Sequence, residues 1–286
     1  IGTGVKDGKF IFFDKKGRFL FNRSYDKAST FSEAGKAFVS YDGKFFFINT
    51  DGSIDKSFDF DDMEAIGEEN FAARKEDAWA LLNMDGDLLT DFSFSSIYYH
   101  NKDFIKVSHN QKVGLTDLKG SIMVEPKYDE LYSYDDDKTV VMLNNKWGIL
   151  DKKQNWIIPL EYEYISKFNQ YYILTQKGKK SLYDENLNKL FNETYDDLWV
   201  TSNGLLIVSK NGKMGIISVD QEIILPFKYD QITLQSENYF TIEINNKYGI
   251  VNSKGEITLE PSYDMITFFY VNDFAIAEKN NKAWFI

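Results

Sequence analysis

"NNKWGILDKKQNWIIPLEYEYI", Asn144 to Ile165, returns in altered form as "NGKMGIISVDQEIILPFKYDQI", Asn211 to Ile232. Both segments set a lysine, a large side chain and a glycine before an apolar run, then a polar turn, a proline and a tyrosine. Following the large side chain along the chain gives Phe10, Phe45, Trp79, Val113, Trp147, Ser181, Met214 and Tyr248, at spacings of 35, 34, 34, 34, 34, 33 and 34. A second column, Tyr25, Phe60, Phe94, Tyr128, Tyr162, Tyr195, Tyr229 and Tyr263, keeps the same rhythm. A turn column of Gly17, Gly52, Gly86, Gly120, Gln154, Asn188, Gln221 and Gly255 follows the motif lysine by eight residues wherever that lysine is present. Columns that agree over eight copies mark a tandem repeat. The copies run roughly 1–35, 36–69, 70–103, 104–137, 138–170, 171–204, 205–238 and 239–272, with a partial ninth at 273–286. No proline-rich or low-complexity linker interrupts them, so the chain reads as one continuous repeat domain.

A period of 34 is also that of some helical repeats, and the pattern inside the period decides between them. Each copy opens with a β-branched or aromatic run such as "TVVML" or "LLIVS", and turns on Asn, Gly and Lys. A second run, "WGIL" or "YGIV", meets a polar turn such as "DLKG", and a third run ends near a proline that cannot continue a central ladder. Two helices per copy would need stretches of about 10 to 12 residues free of turn residues, and the sequence has none. The expectation is all-β, a tandem array of about eight β-meander modules. The glycines after the motif aromatic, Gly114, Gly148, Gly215 and Gly249, predict a bulge or a spot with no room for a side chain.

The lysine-aromatic-glycine triplet, apolar run, turn, proline and Tyr-Asp pair resemble the WG-repeat family. The match is strongest at Lys112–Leu131, Lys146–Ile165, Lys213–Ile232 and Lys247–Ile266, and weakest at the ends and in the sixth copy, where Lys180-Ser181-Leu182 lacks aromatic and glycine alike. The resemblance implies a bacterial β-repeat interaction scaffold with no general catalytic residue. The arrangement of modules was open to two solutions, a closed ring or an open β superhelix. The last strand-like segment, "DFAIA", lacks a complete copy of its own, while the first copy opens weakly with "TGVKD". A propeller-like closed ring is therefore expected, in which the last strand completes the first module and removes two edges.

The 286 residues are 43% hydrophobic and 16% aromatic, too apolar for a disordered chain, and no apolar run is long enough to span a bilayer. With no cysteine, neither disulfides nor thiolate metal sites arise. A net charge of −11 opposes nucleic-acid binding, and only Arg18, Arg23 and Arg74 offer a bidentate fork. The excess is local: eight acids face one lysine between Asp51 and Asn70. The chain starts at "IGTGV" without methionine, which fits a removed export signal or simply a trimmed start, and an exported or envelope location is the expectation over the cytoplasm.

No cofactor or metal is expected: His100 and His109 are isolated, and there is neither a nucleophile elbow nor a phosphate loop. "NMDGDL" at Asn83 to Leu88 has its glycine in the turn column and reads as a turn rather than a calcium loop. The repeated Tyr-Asp pairs read as structural, the tyrosine packed and the aspartate serving turn amides. Three residues after the tyrosine column stand Ala28, Met63, Ile97, Leu131, Ile165, Leu198, Ile232 and Ile266, a core column. The next column varies: Ser29, Glu64, Tyr98, Tyr132, Ser166, Trp199, Thr233 and Thr267. Alternation puts it on the opposite face. The candidate binding set is therefore Tyr98, Tyr99, Tyr132, Tyr134 and Trp199 as anchors, with Asp59, Asp61 and Asp62 steering a basic partner. The expected function is a non-enzymatic binding or scaffold module for a protein, peptide or glycan. The alternative is a glycan-processing hydrolase, which needs two carboxylates converging across a cleft.

Overall fold

The computed structural model describes residues 1–135, 137–268 and 274–286, the side chains of 133–135 excepted. Among these residues every regular element is a strand, and the strands form nine antiparallel sheets in chain order. The fourth sheet shows the plan: Ser96–Tyr99, Phe104–His109, Lys112–Asp117 and Ile122–Tyr128 pair as neighbours in sequence. The seventh (Asp197–Val200 to Ile223–Tyr229) and eighth (Gln231–Leu234 to Ile257–Tyr263) repeat it, as does the fifth (Glu130–Asp135 to Trp156–Tyr162). Each sheet after the first starts just after a member of the tyrosine column, so the strand carrying the core column belongs to the sheet that follows. The chain divides into two compact units, residues 1–144 with 149–156 and residues 145–148 with 157–286.

Except in the third sheet, where only Glu76 does so, the hairpin leading into the motif strand turns on two residues with positive φ, as at Asn144 (53°) and Asn145 (59°) or Asn245 (52°) and Asn246 (58°). This is the geometry that matches strand twist, and asparagine tolerates it best after glycine. The next turn uses an Asx cap: Asp117 Oδ1 accepts the Lys119 and Ser121 amides at 2.9 and 2.8 Å. Asn83 does the same for Asp85 and Asp87, which assigns "NMDGDL" to a turn.

The core lies between successive sheets within each unit. In the first unit Ile66, Ala72 and Leu81 of the third sheet meet Ile97, Ile105 and Val107 of the fourth. In the second unit Ile207, Ile216 and Leu225 of the seventh sheet meet Ile232, Phe240 and Ile242 of the eighth. The core column holds in six of its eight copies: Met63, Ile97, Leu131, Ile165, Leu198 and Ile232 are all at most 5% exposed, while Ala28 and Ile266, nearest the two ends, are only half-buried.

The expected propeller-like ring does not form. Ala275–Lys279, the segment expected to complete the first module, pairs instead with Met265–Phe268 and Lys282–Phe285. The first module carries an opening strand of its own, Gly2–Lys6, paired with Lys9–Phe13. Among the described residues each sheet stays open and none draws strands from both ends of the chain. The local hairpin through Asn280 and Asn281 wins because closing two residues costs far less chain entropy than joining segments a whole chain apart.

The sixth copy also shifts by one residue. Lys180, not Ser181, pairs with Tyr195, and Leu187 (φ 63°), not Asn188, occupies the positive-φ turn position. Ser181 therefore stands in the glycine column, opposite Leu174 as Gly215 stands opposite Val208.

Candidate functional site

The Tyr-Asp pairs are structural staples. Tyr25, Tyr128, Tyr195 and Tyr229 are 1–3% exposed, and burial raises the hydroxyl pKa of Tyr128, and that of Tyr195 to about 12 with Glu193 adding to it. One carboxylate oxygen of Asp129, Asp196, Asp230 and Asp264 pairs with the motif lysine of the preceding sheet, Lys112, Lys179, Lys213 and Lys247. The other oxygen accepts the first amide of the next hairpin: Asn144, Asn211, Asn245 and Asn280, at 2.6–2.8 Å. The lysine ammonium first, and the turn amide second, hold these carboxyls below the usual carboxylate range.

The variable column lies on the solvent side of the same strands. Tyr98 is 62% exposed, Tyr132 44% and Trp199 41%, while their chain neighbours Ile97, Leu131 and Leu198 are buried. Tyr132 donates to Glu130, and in the second unit the Lys180 ammonium sits 5.5 Å over the Trp199 ring while pairing with Asp197. Tyr134 lies in the strand Glu130–Asp135, but its side chain is outside the described residues.

The three aspartates do not share one role. Asp59 is exposed. Asp61 is the staple of its own copy, accepting the Glu76 amide at 2.6 Å. Asp62 takes the Lys27 ammonium at 2.7 Å and the Met63 amide at 2.8 Å. Burial opposes its ionisation, but those two donors outweigh it and lower its pKa.

Tyr99, also in the candidate set, borders a cleft of about 300 Å³ in the first unit. One wall is the turn Gly67-Glu68-Glu69, and Asn70 lies behind it, only 3% exposed, its amide nitrogen donating to the Leu118 carbonyl at 2.9 Å. Lys102 and Leu118 complete the rim from the fourth sheet. Tyr99 is 55% exposed, yet a Cβ on Gly67 would lie 3.0 Å from its ring, so the ring edge rests against the turn. Glu68 and Glu69 sit on one turn and thus on one wall, not facing each other across the cleft as a hydrolase pair would. The sequence reading missed this turn. Spacing gave no signal there: the 34 residues from Phe60 to Phe94 are the ordinary period, and it is the sixth copy, with 33 from Tyr162 to Tyr195, that is one residue short.

No helix of the described residues is long and apolar enough to cross a membrane. Among the same residues no three His, Asp or Glu groups converge as a metal site.

The model of the family described as "WG containing repeat" matches residues 12–45, 114–147, 147–180, 214–248 and 248–282, together more than half of the chain. A comparison with curated protein sequences found no match. Similar solved structures include PorZ, described as an essential bacterial surface component of the type-IX secretion system of Porphyromonas gingivalis. It is 11% identical with a TM-score of 0.30, and the match covers 93% of this chain and 45% of that one. A eukaryotic initiation factor is 7% identical with a TM-score of 0.40, covering 94% and 86%. AztD of Citrobacter koseri is 14% identical with a TM-score of 0.32, covering 87% and 90%. The chain thus spans less than half of PorZ, and at these TM-scores none of the three bears on function.

Proposed function

The chain belongs to the WG containing repeat family, and we propose that it is a non-enzymatic binding module whose contact surface is the outward face of its opening strands. The observation that carries this is the split within single strands: Ile97, Leu131 and Leu198 are buried, and the next residues, Tyr98, Tyr132 and Trp199, stand at 41–62% exposure. Aromatic side chains that the fold does not bury are costly in water and well suited to a partner, because they bring large area with little rotamer entropy. The partner is a protein, peptide or glycan without net negative charge, since a chain of net charge −11 repels anions. Asp59 and the acids around it favour a basic one, whose association would weaken with salt over about 8 Å of screening.

The test uses the full chain immobilised against arrays of acidic, neutral and basic peptides and of glycans. Ligands retained by the wild type should be released faster from the Tyr98→Ala, Tyr132→Ala and Trp199→Ala variants, with unchanged melting. Substitutions that lower the melting temperature and leave retention intact would assign these rings to packing instead.

A further inference from the structure

The repeat supplies its own control for the Tyr99 cleft. Three modules further on, the sixth and seventh sheets bring together the corresponding elements, and there the space is filled: Val200, at Tyr99's position, is 9% exposed, and Tyr171 and Val219, at the positions of Asn70 and Leu118, pack on the same cluster. The turn differs as well. Phe168 pairs with Tyr171 across two residues, whereas Ile66 pairs with Asn70 across three. At one place the module closes its apolar end; at the other the same backbone plan carries a longer acidic turn, an exposed tyrosine and an open cleft. The corresponding place between the eighth and ninth sheets, at Tyr239 and Phe268, is also a cleft, of about 230 Å³, but it is lined by Ile250, Leu259 and Ala275, so what sets the Tyr99 cleft apart is its two glutamates and its lysine.

We infer that the cleft of Gly67, Glu68, Glu69, Asn70, Tyr99 and Lys102 binds an uncharged pyranose ring, the terminal or internal unit of a neutral saccharide. This rests on the reading of the chain as a binding module and names one ligand class for one site. About 300 Å³ lies at the lower end of small-ligand sites and accommodates a sugar unit with its hydroxyls. With its edge held against Gly67, the half-exposed Tyr99 ring offers an electron-rich face to the C–H face of a pyranose. Glu68 and Glu69 accept hydroxyl hydrogens and Lys102 donates to hydroxyl oxygens, a mixture that suits a polyhydroxylated ring better than a cation, which Lys102 opposes, or an anion, which the glutamates oppose.

The experiment is ligand-observed NMR titration of the full chain with neutral disaccharides (cellobiose, maltose, mannobiose, xylobiose and diacetylchitobiose), with a uronate disaccharide and with acetyl-Lys-Lys amide. At least one neutral disaccharide should bind at about millimolar strength. Its affinity should fall at least about tenfold in Tyr99→Ala and at least about threefold in Glu68→Gln/Glu69→Gln, a surface pair whose loss leaves melting unchanged. The uronate should bind more weakly than its neutral counterpart. No binding by any neutral disaccharide, binding indifferent to both variants, or a Tyr99-dependent response to the dilysine probe alone would each overturn the assignment. In those cases peptide retention that still depends on Tyr98, Tyr132 and Trp199 would leave the binding-module reading standing, and its loss on the arrays would end that reading separately.

Discussion

The fourth, seventh and eighth sheets close with a proline-bearing strand, whereas the third and sixth do not. In the first group Ile122–Tyr128, Ile223–Tyr229 and Ile257–Tyr263 run along the third strand with a bulge opposite the motif glycine. In the second group the equivalent segment touches the third strand only at bridges: Trp79 to Phe94 and Leu82 to Leu88, then Lys180 to Tyr195 and Tyr183 to Lys189. The glycine column explains the difference. A Cβ on Gly114 would lie 2.3 Å from the Val124 carbonyl oxygen, and on Gly249 2.4 Å from that of Leu259. The third and sixth sheets carry Ala80 and Ser181 there, so the closing segment stands off as a loop. The second sheet makes the point from the other side: with Phe46 in the column, its fourth strand runs opposite Phe45 to Phe47 in straight register, without a bulge there. A side chain in the column goes with a loop, a straight ladder or, at Ile11 of the first sheet, a bulge one residue wider (Phe10 to Tyr25, then Phe12 to Leu20), whereas the tighter bulge is found opposite glycine.

That contrast sets the largest expected effect. Gly114→Ala and Gly249→Ala should each destabilise by about 3 kcal/mol, because the obstructing atoms are backbone and cannot turn aside. Ser181→Ala, in the same column of a loop-closed sheet, should change stability by less than about 1 kcal/mol. Chemical unfolding of the three variants checks both, and equal losses would remove the glycine as the cause of the difference.

A second effect separates stapled from unstapled sheets. The third sheet has Ala78 and Ser95 where other copies have the lysine and the carboxylate of the staple, an aspartate except for Glu163 after Lys146. Because Asp129, Asp230 and Asp264 have folded pKa values below the ordinary 3.8, their contribution is complete above that pH and is lost as pH falls below it through the folded values. Melting temperatures followed from neutral pH to about pH 2 should therefore drop below about pH 4, and the drop should be shallower in Asp230→Asn. An identical acid profile in that variant would deny the staple any part in acid sensitivity.

The smallest effect concerns the turn column, where glycine and non-glycine copies share one conformation. Gln221 holds φ at 67° where Gly120 and Gly255 hold 83° and 84°. Gln221→Gly should raise stability by up to about 1 kcal/mol, relieving the Cβ crowding of left-handed backbone. A loss on that substitution would show that the glutamine side chain contributes more than its backbone strain costs.

The period, the strand character and most of the core and tyrosine columns were legible in the sequence, because each is dictated by a local rule repeated many times: alternation along a strand, turn residues that tolerate positive φ, a proline confined to the outermost strand of its sheet. The solvent position of Tyr98, Tyr132 and Trp199 followed from the same alternation. The one-residue shift at Lys180 was not legible, since Lys179 and Lys180 offer the same letter to the motif, and only pairing with Tyr195 chooses between them. Asp61 and Asp62 read as free charge because a composition count does not show which carboxylates are already taken by Glu76 and Lys27. The ring failed for a related reason: strand-forming residues state that a segment will pair, while its partner is set by the cheapest loop that brings one within reach. Sequence alone determined what each module is made of. Tertiary structure decided where modules begin, which edges stay open and which end was left as a cleft, because those depend on the volume left between sheets once their side chains have packed.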